Sequence, residues 1–309
     1  MWLFGKKKNV PAWASFFNEI EYAAFTSALD SILRDNLNIV YEICDGVAVF
    51  AENEYNFENL GLLNLAQLCK KNQSDEYPQI VEGHFKSMIE ANRFQKEFEK
   101  IEANFDQIKQ YIAVRLYDEK YMASVGKLYF IGKEFVGELF AAIVFDLPYT
   151  IINIKPEQIK PWNKSINELY GIGLENVRNK YVTSVKAIDH DNDVLYACEA
   201  GHLFATNILF DIERHNLLAG KAGSLIAVPN RCIALIYPIN DLKVVGMVKS
   251  LCLTVPKLYD NNPGALTKEI YWYMSGNFIM LPYESTRKGV SFSPPDEFIQ
   301  VLNNLEAVK

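Results

Sequence analysis

Tyr111-Ile112-Ala113-Val114-Arg115-Leu116-Tyr117 is where the chain changes character. Before it, apolar residues recur at helical spacing. From here they come in short aromatic and β-branched runs, which suit a pleated, half-buried strand. Residues 128–131, 139–145 and 150–154 read the same way. Residues 165–180 read as a helix with Ile166, Leu169, Tyr170, Leu174 and Val177 on one face. Strands are expected at 184–188 and 194–198, then a helix at 203–215.

The remainder repeats that order. Strands at 225–228 and 232–238 flank Pro229-Asn230-Arg231, and Asn240 suits the cap of a helix ending near Val255. Strands at 269–274 and 278–282 flank Ser275-Gly276-Asn277, and Pro294-Pro295-Asp296 opens a last helix. Residues 138–216 and 222–306 are therefore candidate copies of one hairpin–helix–hairpin–helix unit, with Pro148 and Pro229 in matching turns. Such units build antiparallel sheets with packed helices, an α+β fold.

Upstream, a helix is expected from about Ala12 to Asp35, a hairpin across Asp45-Gly46, and a helix over 60–71. Residues 75–110 are the most periodic segment. Phe94, Phe98, Ile101, Phe105 and Ile108 extend the stripe begun by Tyr77, Val81, His84, Met88 and Ala91, out of phase between Ala91 and Phe94. The organisation expected is a mostly helical N-terminal region over 1–110, with one hairpin, and an α+β domain over 111–309.

The 309 residues are 50% hydrophobic and carry a net charge of −7, enough apolar matter for a core and too acidic for a nucleic-acid binder without a basic stripe. Residues 1–110 hold 17 of the acidic side chains against 11 basic ones, so the acidity sits on the helical region, a candidate docking face for a basic partner. The five cysteines are scattered and odd in number, which disfavours a disulfide framework and points to a reducing, cytoplasmic setting. Met1-Trp2-Leu3-Phe4 precedes Lys6-Lys7-Lys8, the reverse of a signal peptide. No transmembrane run is present, and weak membrane contact of this N-terminus stays open.

Three segments in order carry a resemblance. Ile143-Val144-Phe145-Asp146-Leu147-Pro148 leads to Trp162 and Glu168-Leu169-Tyr170, on through Leu174-Glu175-Asn176-Val177. Ile226-Ala227-Val228-Pro229-Asn230-Arg231 follows. Residues 111–305 resemble the YtpQ-like family of bacterial cytosolic proteins of unknown function, while the N-terminal third departs from it. The resemblance implies a bacterial cytosolic protein without an assigned activity, and it supplies no catalytic residues.

Familiar chemistry fails letter by letter. Gly220-Lys221-Ala222-Gly223-Ser224 has the phosphate-loop residues in the wrong order, and Gly171-Ile172-Gly173 lacks its third glycine and lies in a helix. No nucleophile elbow occurs. Ser124-Val125-Gly126-Lys127 and Ser285-Thr286-Arg287-Lys288 match a serine–lysine pattern by letter only. Asp189-His190-Asp191-Asn192-Asp193 concentrates hard ligands but lacks the glycine and final acid of a calcium loop, and a polar turn explains it as well. His84, His202 and His215 stand apart.

Arg231, after a turn asparagine and between two apolar strands, is expected to be exposed and firmly placed. Asn230 and Arg231 are thus the candidate binding residues. The expectation is a non-enzymatic cytosolic protein-interaction module (adaptor, chaperone-like or antitoxin-like) without a cofactor, whose partner is another protein. The alternative is a metal-dependent hydrolase using Asp189, His190, Asp191 and Asp193.

Overall fold

A computed structural model describes residues 10–190, 193–286 and 289–305, in two compact units. Residues 1–100, 148–150 and 261–263 form one; residues 101–147, 151–260 and 264–309 form the other.

In the first unit the expected helix from Ala12 is broken in two. Asn18 accepts from the Glu21 amide while Glu21 reaches back to the Asn18 amide, a capping box that starts α1 (Glu19–Asp30) seven residues late. A 3-10 turn over Ala12–Ala14 precedes it, and a π-helical turn over Ser31–Asn36 follows. β1 (Tyr41–Cys44) and β2 (Val47–Phe50) are joined by Asp45 and Gly46, both at positive φ, as a two-residue hairpin requires. β3 (Asn59–Gly61) adds to β2 and takes the start of the helix expected at 60; α2 (Leu63–Lys70) begins after it. α3 (Tyr77–Glu99) runs unbroken through the phase shift at Ala91. Its Tyr77, Val81 and Phe85 close a core with Phe17, Phe25, Leu29, Phe50 and Phe57.

The second unit begins at Ile101 because the next residues are tied to it. Glu102 accepts from Gln158 through its side chain and from the Trp162 indole through its carbonyl, at 2.6 and 2.8 Å. The short α4 (Phe105–Ile108) leads into β4 (Ile112–Asp118), which is buried along its whole length. α5 (Glu119–Val125) follows, then β5 (Gly132–Val136), β6 (Leu139–Asp146) and β7 (Ile151–Asn153). These strands form a four-stranded antiparallel sheet in which β6 pairs with each of the other three.

α6 (Ile166–Lys180) starts at a Ser165/Glu168 capping box and lies on β4. It can approach because Gly173 has no side chain: a Cβ there would sit 2.8 Å from the Ala113 carbonyl carbon. That packing contact is the reason for the glycine, not a dinucleotide.

β8 (Ser184–His190) and β9 (Asp193–Glu199) form a hairpin, followed by a 3-10 helix over Ala205–Arg214 that leaves helical geometry at Asp211. β10 (Ser224–Asn230), β11 (Ile233–Pro238), α7 (Val244–Asn261), β12 (Ile270–Met274) and β13 (Asn277–Leu281) come next. α7 continues through Pro256 instead of ending at Val255. Asn240 does not cap it; its side-chain oxygen accepts from the Lys221 amide. A hairpin the sequence reading lacked, β14 (Tyr283–Thr286) and β15 (Gly289–Phe292), precedes α8 (Asp296–Asn303).

The larger sheet has the order β13-β12-β10-β11-β9-β8. Leu225, Leu235, Ile270 and Trp272 on one face pack on Met247, Leu251 and Phe298 from α7 and α8. Ile226, Val228, Ile236 and Tyr271 on the other meet Val114, Leu116 and Leu139 of the smaller sheet. Both faces are thus covered, and a central strand such as β10 reads as a continuous apolar run instead of an alternation.

The fold is α+β, as its pattern of elements implied. The duplication of 138–216 in 222–306 does not follow. In the second segment both hairpins lie in one sheet, with β10 beside β12. In the first, β6 and β7 belong to the smaller sheet, while β8 and β9 join the larger. Like order of elements along the chain carried no like order in space.

Candidate functional site

β4 is an apolar strand with one charge in it. Arg115 and Tyr117 share a face, and across β6 and β5 Arg115 stands in register with Ala142 and then Gly132. Two small neighbours leave room for a guanidinium, and Arg115 is only 7% exposed. At the end of the strand Asp118 accepts from the Tyr121 amide at 2.8 Å, which starts α5 and lays the Tyr121 ring on Tyr117, centroids 5.2 Å apart and nearly parallel. Phe130 closes the edge of Tyr117 at 5.5 Å.

The second arginine arrives from the β10–β11 turn. Asn230 is buried, and its side-chain oxygen accepts from the Cys232 amide at 3.0 Å, a turn role that fixes the side chain in place. The Arg231 amide donates to the Gly264 carbonyl at 3.0 Å. The side chain is not exposed as expected. The turn directs it inward, where its guanidinium lies 5.1 Å from the Tyr117 centroid and 5.4 Å from that of Tyr121. Arg115 lies 5.1 Å from the same Tyr117 centroid.

Two guanidiniums therefore share one ring, and neither has a carboxylate within ion-pair distance among the described residues. The Nε of each is buried without a hydrogen-bond partner. Arg115 makes one long contact through Nη1, 3.4 Å to the Tyr117 hydroxyl. Burial, and then the charge of Arg115, pushes Arg231 down to about 10, against the partial relief given by the two tyrosines and Asp118.

The energetics are one-sided. Each unmet buried donor costs about 1–3 kcal/mol, and burying an ion costs several more. Cation–π contacts return about 0.5–2 kcal/mol each. An arrangement this short of partners is where a missing anion fits.

A cleft of about 260 Å³ elsewhere in this unit holds an arginine in different circumstances. Arg178 on α6 donates through Nε to Asp211 at 2.8 Å and through Nη2 at 2.9 Å, so its charge is answered. Asn207, which also lines the cleft, donates to the Val114 carbonyl at 2.9 Å but leaves its own buried oxygen unpaired.

The acidic cluster lies only partly within the described residues. Asp189 is exposed on β8, and Asp193 is occupied by the Tyr237 hydroxyl and by the Val194 amide. His190 pairs by its backbone position with Asp193, and Asp191 and Asn192 lie outside the described residues. No group of three His, Cys, Asp or Glu among the described residues is placed to hold a metal ion.

The remaining candidates have local roles. His202 is held between the Val182 carbonyl and the Phe204 amide. His84 packs edge-on to Phe85 with its Nε2 buried and unpaired, and burial lowers its pKa. Ser124 donates to the Tyr121 carbonyl, and Lys127 pairs with Glu119; Arg287 and Lys288 lie outside the described residues. Cys69, Cys198 and Cys252 are buried, Cys232 is half-buried and Cys44 is exposed; all five are free thiols.

Sequence reasoning found Arg231 and missed its company. The signal for Arg115 was present, a lone charge inside Ile112-Ala113-Val114-Arg115-Leu116, where a strand buried on both faces admits an arginine only for a reason. Among the described residues no helix is long and apolar enough to cross a membrane. Compared with known proteins, the chain matches no family model, no curated protein and no solved structure.

Proposed function

We propose that the protein is a non-catalytic binding module whose second unit receives an oxyanion between Arg115 and Arg231. One observation carries this reading: two guanidiniums against one tyrosine ring, Arg115 buried and Arg231 half-buried, each with a buried, unmet Nε–H and neither with a carboxylate at ion-pair distance among the described residues. The Nε–Nη edge of arginine matches two oxygens of a carboxylate or phosphate, so the unmet protons define what is missing. The neighbours are stacked tyrosines and a capping aspartate instead of a nucleophile with a base, so the site is built to hold a group and not to transform it. The bacterial cytosolic setting implied by the YtpQ-like resemblance suits a module of this kind.

The test is a thermal melt of the chain in an anion-poor buffer against acetate, phosphate and sulfate. A ligand that binds only the native state stabilises it by about 2.7 kcal/mol at a hundred times its dissociation constant. At least one anion should raise the melting temperature of the native protein and leave Arg231→Met unmoved. A protein indifferent to every anion overturns the reading.

A further inference from the structure

Resting on that reading, we propose that the group received is a single carboxylate carried on an apolar or aromatic body. Charge decides the head group. Arg115 and Arg231 contribute two positive charges, and Asp118, 8% exposed and within electrostatic reach of Arg231, contributes one negative. The surplus is one. A monoanion neutralises it, whereas the dianionic form of phosphate would leave a negative charge beside Asp118, and the monoanionic form brings no apolar body.

Shape decides the body. Tyr121, which covers Arg231, is itself 39% exposed, so the cluster lies one side chain below the surface. Val125 stands one helical turn further on the same face of α5 and is 40% exposed. Leu128 and Tyr129 follow at 86% and 49%. Four large apolar side chains within nine residues, beside the cationic pair, give an exposed surface that rewards an apolar ligand and stacks an aromatic one on Tyr121. A hydrated inorganic ion uses none of that surface.

The experiment is isothermal titration of the full chain with 3-phenylpropionate, acetate and inorganic phosphate. A short peptide ending in Phe, with a free and with an amidated C-terminus, completes the set. The expected result is that 3-phenylpropionate binds at least tenfold tighter than acetate, that phosphate binds more weakly than either, and that the amidated peptide is silent. Arg231→Met loses at least tenfold for every carboxylate. Tyr121→Ala loses the preference for 3-phenylpropionate over acetate while still binding acetate, a readout that general unfolding would not give.

The free-acid peptide distinguishes the sources of the carboxylate. Binding tighter than 3-phenylpropionate assigns it to a protein C-terminus, and weaker binding to a small organic acid; both support the proposal. Phosphate binding tighter than the carboxylates overturns the inference and leaves the oxyanion reading standing. Silence from every anion overturns both.

Discussion

Arg178 and Arg231 lie in the same unit in opposite circumstances. Arg178 comes from a helix, keeps a quarter of its side chain in water, and has both oxygens of Asp211 in its fork. Arg231 comes from a tight turn, is driven in among Tyr117, Tyr121 and Arg115, and keeps a buried Nε–H with nothing to give it to. Their pKa values move in opposite directions: the carboxylate of Asp211 raises Arg178, while burial and a neighbouring like charge lower Arg231. A paired arginine is explained by the fold that contains it. An unpaired one in the interior costs the fold stability, and that cost is what identifies it as a candidate for function.

Arg178 stands on α6, and Arg231 packs on Tyr117 of the β4 strand that α6 covers, so the most damaging change is at the contact between that helix and that strand. Gly173→Leu places a side chain where a Cβ alone would be 2.8 Å from backbone. Overpacking typically costs 1–3 kcal/mol, and contact with rigid backbone puts this case at about 3 kcal/mol or more. Chemical denaturation should show the second unit's transition at much lower denaturant; an unchanged midpoint would mean the helix is free to ride up.

Removing partners separates the two sites by sign. Asp211→Ala leaves Arg178 only its exposed contact with Glu175, at 3.3 Å, and leaves Arg214, 3.3 Å from the same Asp211 carboxylate, without that contact. The pair is partly exposed, so the loss should be about 2 kcal/mol, between the surface and buried extremes. Arg231→Met removes a half-buried charge that has no carboxylate at ion-pair distance among the described residues and keeps an apolar body in the same space. In an anion-poor buffer it should be neutral or stabilising, by about 1 kcal/mol. Equal destabilisation by the two variants would show that Arg231 has a structural counterion and would erase the distinction.

The two regions also differ in how far they could be read from the sequence. Local devices were legible, since they depend on neighbours in the chain: the Asp45-Gly46 hairpin, the periodic face of α6, and the Ser275-Gly276 turn between β12 and β13. The Ser165 box and the break at Asn18 were equally local but were overlooked. Sheet membership was not legible. Nothing local tells β8 and β9 to join β11 instead of β6, so the apparent repeat dissolved. Arg231 stood out as a charge in a turn between apolar strands, but its inward direction depends on Tyr117 and Tyr121, more than a hundred residues earlier. Only the folded chain supplies that reason.

The smallest expected effect is in the alkaline limb, and its sign is the sharpest discriminator. Arg231 has a folded pKa lowered to about 10, well below that of an arginine in the unfolded chain. Between those values the unfolded state holds the proton that the folded state has released. Stability from this group therefore rises with pH across the window, since stability increases wherever the unfolded state binds more protons. Arg178 acts in the reverse sense: its folded pKa is raised, so its contribution is complete below the unfolded value and is lost only above it.

Lysine and tyrosine titration pulls the whole protein down above pH 10, so the comparison must be differential. In an anion-poor buffer the stability of the native protein minus that of Arg231→Met should climb from pH 9.5 to pH 11. The same difference taken for Arg178→Met should stay flat. Saturating the site with a carboxylate should abolish the climb, because a bound anion returns Arg231 to the charged state. A flat difference for Arg231 in the absence of any anion would mean that it already has a partner in the folded protein, and the case for an anion site would fall with it.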